Sequence, residues 1–359
     1  MTGRHSARRL ARDKAAALAL GLLAGAWQGG AQAGTAAGTA AQPDCLGERQ
    51  PLTVASRMPY ALVGVGARQG YFLLDFGASV SSITHANLQG NAPALTADAA
   101  GARYDDFVFF GSWASVALQQ QPQPAVQALR SADGRASIRQ AGVIGTDFLA
   151  QHVYTLDYRG GHLWRAAPGA FCDDAALQAG GYRAVSTRDY YGAAPAALSC
   201  PRAMAAPGGC VNIPTVPIRI GRVEAVAQLD TGYDDSRQPY SVNINAALFD
   251  ALRAAGVRLT PRPDIAIQLS TCVVGVSEPV EAWRLGAGTP AGILDSAGRL
   301  VANQGRAMTL FVKRTPAAAA VCGGIGTWRQ PAAQLGASFV SGGSLVVDPF
   351  SARVWLRAE

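Results

Sequence analysis

Charge is scarce in this chain. Asp, Glu, Lys and Arg together make up 15% of its 359 residues, and there are only four histidines. No two cysteines form a Cys-x-x-Cys pair. A zinc site is therefore not expected, nor is any other metal or cofactor. Helical periodicity is sparse as well. Its best instance runs from Asn245 to Ala255, where Ala247, Leu248, Phe249, Leu252 and Ala255 share a face and Gly256 ends it. Against these absences stand 49% hydrophobic residues and 41 glycines. Low charge, abundant Gly and short apolar runs predict an all-β protein with few short helices. The length suits one large globular unit or two smaller domains.

The formal charge is +7, and much of it sits near the N-terminus. Arg4, Arg8, Arg9, Arg12 and Lys14 precede an apolar stretch from Ala15 to Trp27. That stretch is too short for a stable bilayer anchor. Ala31-Gln32-Ala33 supplies the small-x-small pattern that a signal peptidase accepts. Residues 1–33 are therefore expected to be a signal peptide, and 34–43, rich in Ala, Gly and Thr, a flexible leader. An uncleaved anchor is the alternative. Segment 1–33 holds five basic residues and one acid, Asp13, which leaves the remainder near +3. No basic block or basic–aromatic interleaving is left there, so nucleic acid is not an expected partner. The expected product is exported, periplasmic or secreted, monomeric, and without a stable membrane anchor once the signal is cleaved. No inhibitory prosegment is expected between Gly34 and Thr53.

All six cysteines, Cys45, Cys172, Cys200, Cys210, Cys272 and Cys322, lie beyond the signal. An even number in an exported chain favours disulfides, whose connectivity the spacing does not decide. The pairing that keeps each bridge within or beside one half of the chain is Cys45–Cys172, Cys200–Cys210 and Cys272–Cys322.

The strongest pattern is repetition. One segment reads Ala61-Leu62-Val63-Gly64-Val65-Gly66, then Tyr71-Phe72-Leu73-Leu74-Asp75-Phe76-Gly77-Ala78-Ser79. A second reads Val216-Pro217-Ile218-Arg219-Ile220-Gly221, then Ala227-Gln228-Leu229-Asp230-Thr231-Gly232. In each, the Asp follows the first segment's last Gly by nine residues. Val216, Ile218 and Ile220 alternate as a half-buried strand does, and Gly66 and Gly221 fall where a hairpin turns. Each copy thus predicts strand, tight turn, strand, and an Asp at the strand's end. Farther on, Val143-Ile144-Gly145-Thr146-Asp147-Phe148-Leu149 matches Gln334-Leu335-Gly336-Ala337-Ser338-Phe339-Val340. Gly145 and Gly336, Phe148 and Phe339, Asp157 and Asp348, and Trp164 and Trp355 are each 191 positions apart. The halves are expected at 44–170 and 211–359, with 171–210 as a connector. Two hairpins sharing only their turn chemistry would be the plainer explanation.

At Leu74-Asp75-Phe76-Gly77-Ala78-Ser79 and Leu229-Asp230-Thr231-Gly232 the chain resembles the aspartic proteases. That family carries Asp-Thr/Ser-Gly in each lobe, followed downstream by two apolar residues and Gly. The matching segments here are Val143-Ile144-Gly145 and Gln334-Leu335-Gly336. The resemblance spans about 60–357, is pepsin-like in length, and is similar to a retropepsin subunit within each half. It implies a two-lobed acid-protease-type β-barrel fold and a cleft that takes a peptide or protein substrate. It implies Asp75 and Asp230 as the catalytic pair, supported by Gly77, Ser79, Thr231, Gly232, Gly145 and Gly336. Two carboxyls held close together share one proton, so one can act as base and the other as acid. The family's flap would fall at Ala92 to Arg103, with Gly101 near its tip and Tyr104 as the nearest tyrosine.

The departures are specific. Phe76 stands where the family has Thr or Ser, so one of the two hydrogen bonds between the Asp loops lacks its hydroxyl. Gln334 replaces an apolar residue below the second loop. Tyr233, Asp234 and Asp235 follow the second motif where small or hydroxyl residues are usual. Each Asp alone could merely cap a turn. A catalytically inactive relative that binds peptides or a partner protein is therefore the alternative to an endopeptidase. Phe107, Phe109, Phe110 and Trp113 could line a cleft, but aromatics on strands more often pack in a core.

Overall fold

The computed structural model describes residues 44–90, 102–120, 128–186, 213–271, 273–301 and 306–358. The expected signal and leader, 1–43, lie outside the described residues, as do Cys200, Cys210 and Cys272 and all but the last two positions of the expected flap. Among the described residues no helix is long and apolar enough to cross a membrane.

The architecture is mostly β. A seven-stranded sheet is built from residues 53–144 and a nine-stranded sheet from 215–335. Neither closes into a barrel. The seven-stranded sheet comes nearest, because Gly64 and Val65 pair with Val108 and Phe107 across its ends. The outermost strand, Thr53–Ala55, pairs with Met58–Val65 along one side and on the other makes an isolated bridge from Ala55 to Ser131.

Both halves use the same local construction. Strand Met58–Val65 turns at Gly66 into Arg68–Leu74, and Thr215–Ile220 turns at Gly221 into Val223–Leu229. The two turn glycines have φ of 60° and 62°, a left-handed conformation that costs glycine nothing. The second strand of each hairpin then receives a parallel partner. Gln140–Ile144 lies beside Arg68–Leu74, and Ala332–Leu335 beside Val223–Leu229.

The third sheet joins the halves. Its order is Glu48–Pro51, His162–Ala166, Val153–Asp157, Ser344–Asp348, Arg353–Arg357, Arg183–Ser186. The hairpin Val153–Asp157/His162–Ala166 and the hairpin Ser344–Asp348/Arg353–Arg357 have the same strand bounds, displaced by 191 positions. Their central pairing runs Tyr154 to Val347, Thr155 to Val346, Leu156 to Leu345 and Asp157 to Ser344.

Apolar positions of all three sheets face one continuous core that includes Phe72, Leu74, Phe107, Phe109, Leu156, Leu229, Leu335 and Leu345. Phe107 and Phe109 pack edge-on and tilted against Phe148, as strand aromatics do when they fill a core. The side chain of Trp113 lies outside the described residues.

The helix expected near Asn245 runs Ala246–Ala254. Asn245 caps it, accepting the Leu248 N–H at 2.9 Å, and Leu248, Phe249 and Leu252 are its buried face. Part of the expected connector is regular structure. Asp174–Ala179 is a helix capped by Asp173, and Arg183–Ser186 is the edge strand of the joining sheet. Residues 187–210 lie outside the described residues. A disulfide links Cys45 to Cys172, as expected, and Cys322 is also disulfide-bonded.

Candidate active site

Asp75 and Asp230 each sit one residue past the end of a hairpin strand, where the parallel neighbour anchors the backbone. The Asp75 N–H donates to Ile144 C=O at 2.9 Å, and the Asp230 N–H to Leu335 C=O at 3.0 Å. Each Asp begins a tight turn. The Gly77 N–H donates to Asp75 Oδ1 at 2.7 Å and the Gly232 N–H to Asp230 Oδ1 at 2.9 Å. The structure brings the two turns face to face, and the two carboxyls lie within hydrogen-bond reach of each other. A Cβ added at Gly77 would overlap the Asp230 carboxyl, and one at Gly232 the Asp75 carboxyl. Glycine is required at both positions by this close approach, not by backbone angle.

Thr231 crosses between the turns. Its Oγ1 accepts the Phe76 N–H at 3.0 Å and donates to Leu74 C=O at 2.7 Å. Thr231 is fully buried, so both bonds are shielded from water. Position 76 has no hydroxyl to return the contact. Phe76 instead points into the core, 2% exposed.

A lower layer holds each turn. Ser81 donates from its N–H and its Oγ to Asp147, at 2.8 and 2.6 Å, and Ser81 Oγ accepts the Gly145 N–H at 2.9 Å. In the other half the roles are exchanged. Asp235 follows the Asp turn, and Ser338 donates to it from its N–H at 3.1 Å and from its Oγ. Burial pushes the Asp147 and Asp235 carboxyls above their ordinary value, while the Ser hydrogen bonds oppose that rise. Gly145 and Gly336 fit beneath these turns. A Cβ would come within 2.9 Å of Ala78 O at the first and 2.8 Å of Tyr233 Cδ1 at the second.

The electrostatics at the centre are those of a crowded acid pair. Burial raises the proton affinity of Asp75, against hydrogen bonds from the Gly77 N–H, the Asp230 carboxyl and the Ala78 and Gly232 N–H groups. Asp230, 8% exposed, is driven well above the usual carboxylate range, first by burial and then by the charge of Asp75. Both carboxyls thus bind protons more tightly than an isolated carboxylate does, as expected of two acids crowded into one buried site. Tyr60, Tyr158 and Tyr233 surround the pair. Burial raises all three phenols, and Tyr233 reaches about 12.

Other expected residues fall elsewhere. The hydroxyl that braces the first turn belongs to Ser81, whereas Ser79 is half-buried two residues before it. Tyr104 is 6% exposed on strand Ala102–Phe109, with its hydroxyl 2.5 Å from His85 Nε2. Gly101 lies outside the described residues. Among the described residues no cluster of three or more His, Cys, Asp or Glu side chains could hold a metal ion.

No protein-family model matches the chain, and no curated protein is detectably similar to it.

Proposed function

We propose that this chain is an exported aspartic endopeptidase of the two-lobed, internally duplicated type. The observation that carries the reading is the contact of two carboxyls from equivalent turns, each seated against the other turn's glycine. Paired carboxyls with one proton between them are an acid and a base ready in one place. Asp75, ionised, takes a proton from a water held between the carboxyls. The water oxygen attacks the peptide carbonyl carbon while Asp230 gives its proton to the carbonyl oxygen. The tetrahedral intermediate then collapses, and the leaving amine takes up a proton from the pair. No covalent enzyme intermediate is required. Substrate would lie extended between the lobes, held by main-chain hydrogen bonds.

The test is cleavage of denatured casein and peptide libraries from about pH 3 to 7, the range in which such a pair can hold a single proton. Cleavage should be blocked by pepstatin and abolished in Asp75→Asn and in Asp230→Asn. Cleavage that survives both substitutions, or none in the intact protein, overturns the enzymatic reading. Phe76 favours a second reading: with only Thr231 bridging the turns, the chain could be an inactive relative that binds extended peptides in the same cleft. Peptide binding without cleavage, lost on substitution of either aspartate, would select it.

A further inference from the structure

The two strands beneath the aspartates differ at one telling place. Gln140–Ile144 carries Val143, whereas Ala332–Leu335 carries Gln334, 191 positions on. Val143 stands in register with Leu73 and Ser82. Gln334 stands in register with two amides, Gln228 and Asn243. Asn243 Nδ2 donates to Gln334 Oε1 at 2.9 Å, which turns the Gln334 Nε2 outward, and Nε2 donates to Asp230 Oδ2. The other Asp230 oxygen accepts the Gly232 N–H at 2.9 Å. Asn243 Oδ1 in turn has the Tyr233 hydroxyl 3.5 Å away, itself 3.0 Å from Ser241 Oγ. A side-chain amide thus reaches one aspartate, and its counterpart in the other half is an apolar Val.

We propose that Gln334, clamped by Asn243, is a positioning residue for Asp230 that holds down the pH above which the acid pair loses its shared proton. The inference deepens the endopeptidase reading and rests on the pair being coupled. An amide N–H can only donate, so it favours the ionised carboxylate over the neutral acid. It therefore works against burial and against the charge of Asp75, both of which favour the protonated form. The other titratable and charged groups around the pair are Tyr233, Asp234 and Asp235 on the Asp230 side, with Arg57 beside Asp235, and Tyr60 and Tyr158 on the Asp75 side. Substitution at 334 removes none of them.

The experiment is a carbon-13 NMR titration of the aspartate carboxyls in the full chain, comparing the unsubstituted protein with Gln334→Leu and Asn243→Leu. In Gln334→Leu the upper step of the pair should rise by about one pH unit, a tenfold gain in proton affinity. Asn243→Leu, which leaves Gln334 present but unclamped, should move it the same way by less. Where peptide cleavage is measurable, the alkaline limb of kcat should move in parallel. A folded Gln334→Leu protein with the upper step unmoved or lowered overturns the inference while leaving the pair intact. If Gln334→Leu does not fold, an unmoved step in Asn243→Leu overturns it equally. Should Asp75 and Asp230 titrate independently as ordinary carboxylates in the unsubstituted protein, the paired-site reading itself falls.

Discussion

Thr231 is the most exacting place to test how the two turns are held. Its hydroxyl makes two bonds across the interface, to the Phe76 N–H and the Leu74 C=O, in a fully buried setting. Val in its place keeps the shape and removes both bonds. Each net hydrogen bond contributes about 0.5–1.5 kcal/mol, and a buried polar group left unpaired costs about 1–3 kcal/mol. The expected loss is about 2–4 kcal/mol, or a fall in Tm of about 3–5 °C for a protein of this size. Thr231→Ser is the control. It keeps the hydroxyl and sheds one methyl, for about 0.8 kcal/mol. Thermal and urea unfolding followed by circular dichroism would measure both. If Thr231→Val and Thr231→Ser are equally stable, the two bonds contribute nothing and the bridging role assigned to Thr231 is wrong.

Three further outcomes follow from the same contacts. Asp230 binds its proton more tightly in the folded than in the unfolded chain, whose reference value is 3.8. Its contribution to stability is therefore complete below that value and is lost as pH rises through the folded one. Asp230→Asn cannot ionise, so in denaturant unfolding it should exceed the unsubstituted protein in stability at neutral pH and lose that advantage towards pH 3; the opposite trend would contradict the raised affinity. Phe76→Thr restores the missing hydroxyl but empties a core position that is 2% exposed. It should lower stability by about 2–4 kcal/mol, within the range for large-to-small core changes, while raising turnover per folded molecule, so thermal unfolding and kcat must be read together. Replacing both Cys45 and Cys172 by Ala opens a link across 127 positions and should cost about 2–4 kcal/mol; an unchanged unfolding midpoint would show that this bridge is not stabilising.

Much of the fold was legible because it is written in hairpin chemistry. Gly66 and Gly221 mark turns that need a left-handed residue, and the alternation of Val216, Ile218 and Ile220 marks a strand with one face inward. The capped helix at Asn245 was equally readable from its apolar face and its closing Gly256. The expected closed barrel was not found, since closure depends on how far a sheet curls, and that is a tertiary outcome. At the site, the aspartates and their glycines could be found as matched motifs. The serine–carboxylate braces could not, because the two halves exchange the residue types: Ser81 with Asp147 in one, Asp235 with Ser338 in the other. A search for like residues at constant spacing passes over a reciprocal exchange. Gln334 was visible only as an anomaly, and its use became clear once Asn243 was found opposite it. Tyr104 fitted the flap by position alone, whereas its hydroxyl is engaged by His85 in the interior.

The joining sheet carries a lesson about assembly. Thr155 stands opposite Val346, its own equivalent 191 positions on, so a local dyad passes between those two residues. An edge that meets its twin about such an axis is self-complementary. The geometry of this central pairing is thus that of a two-fold interface, here made within a single chain. Within one chain the two hairpins meet at a fixed one-to-one ratio, and the halves need not be identical: Phe76 stands against Thr231, and Val143 against Gln334.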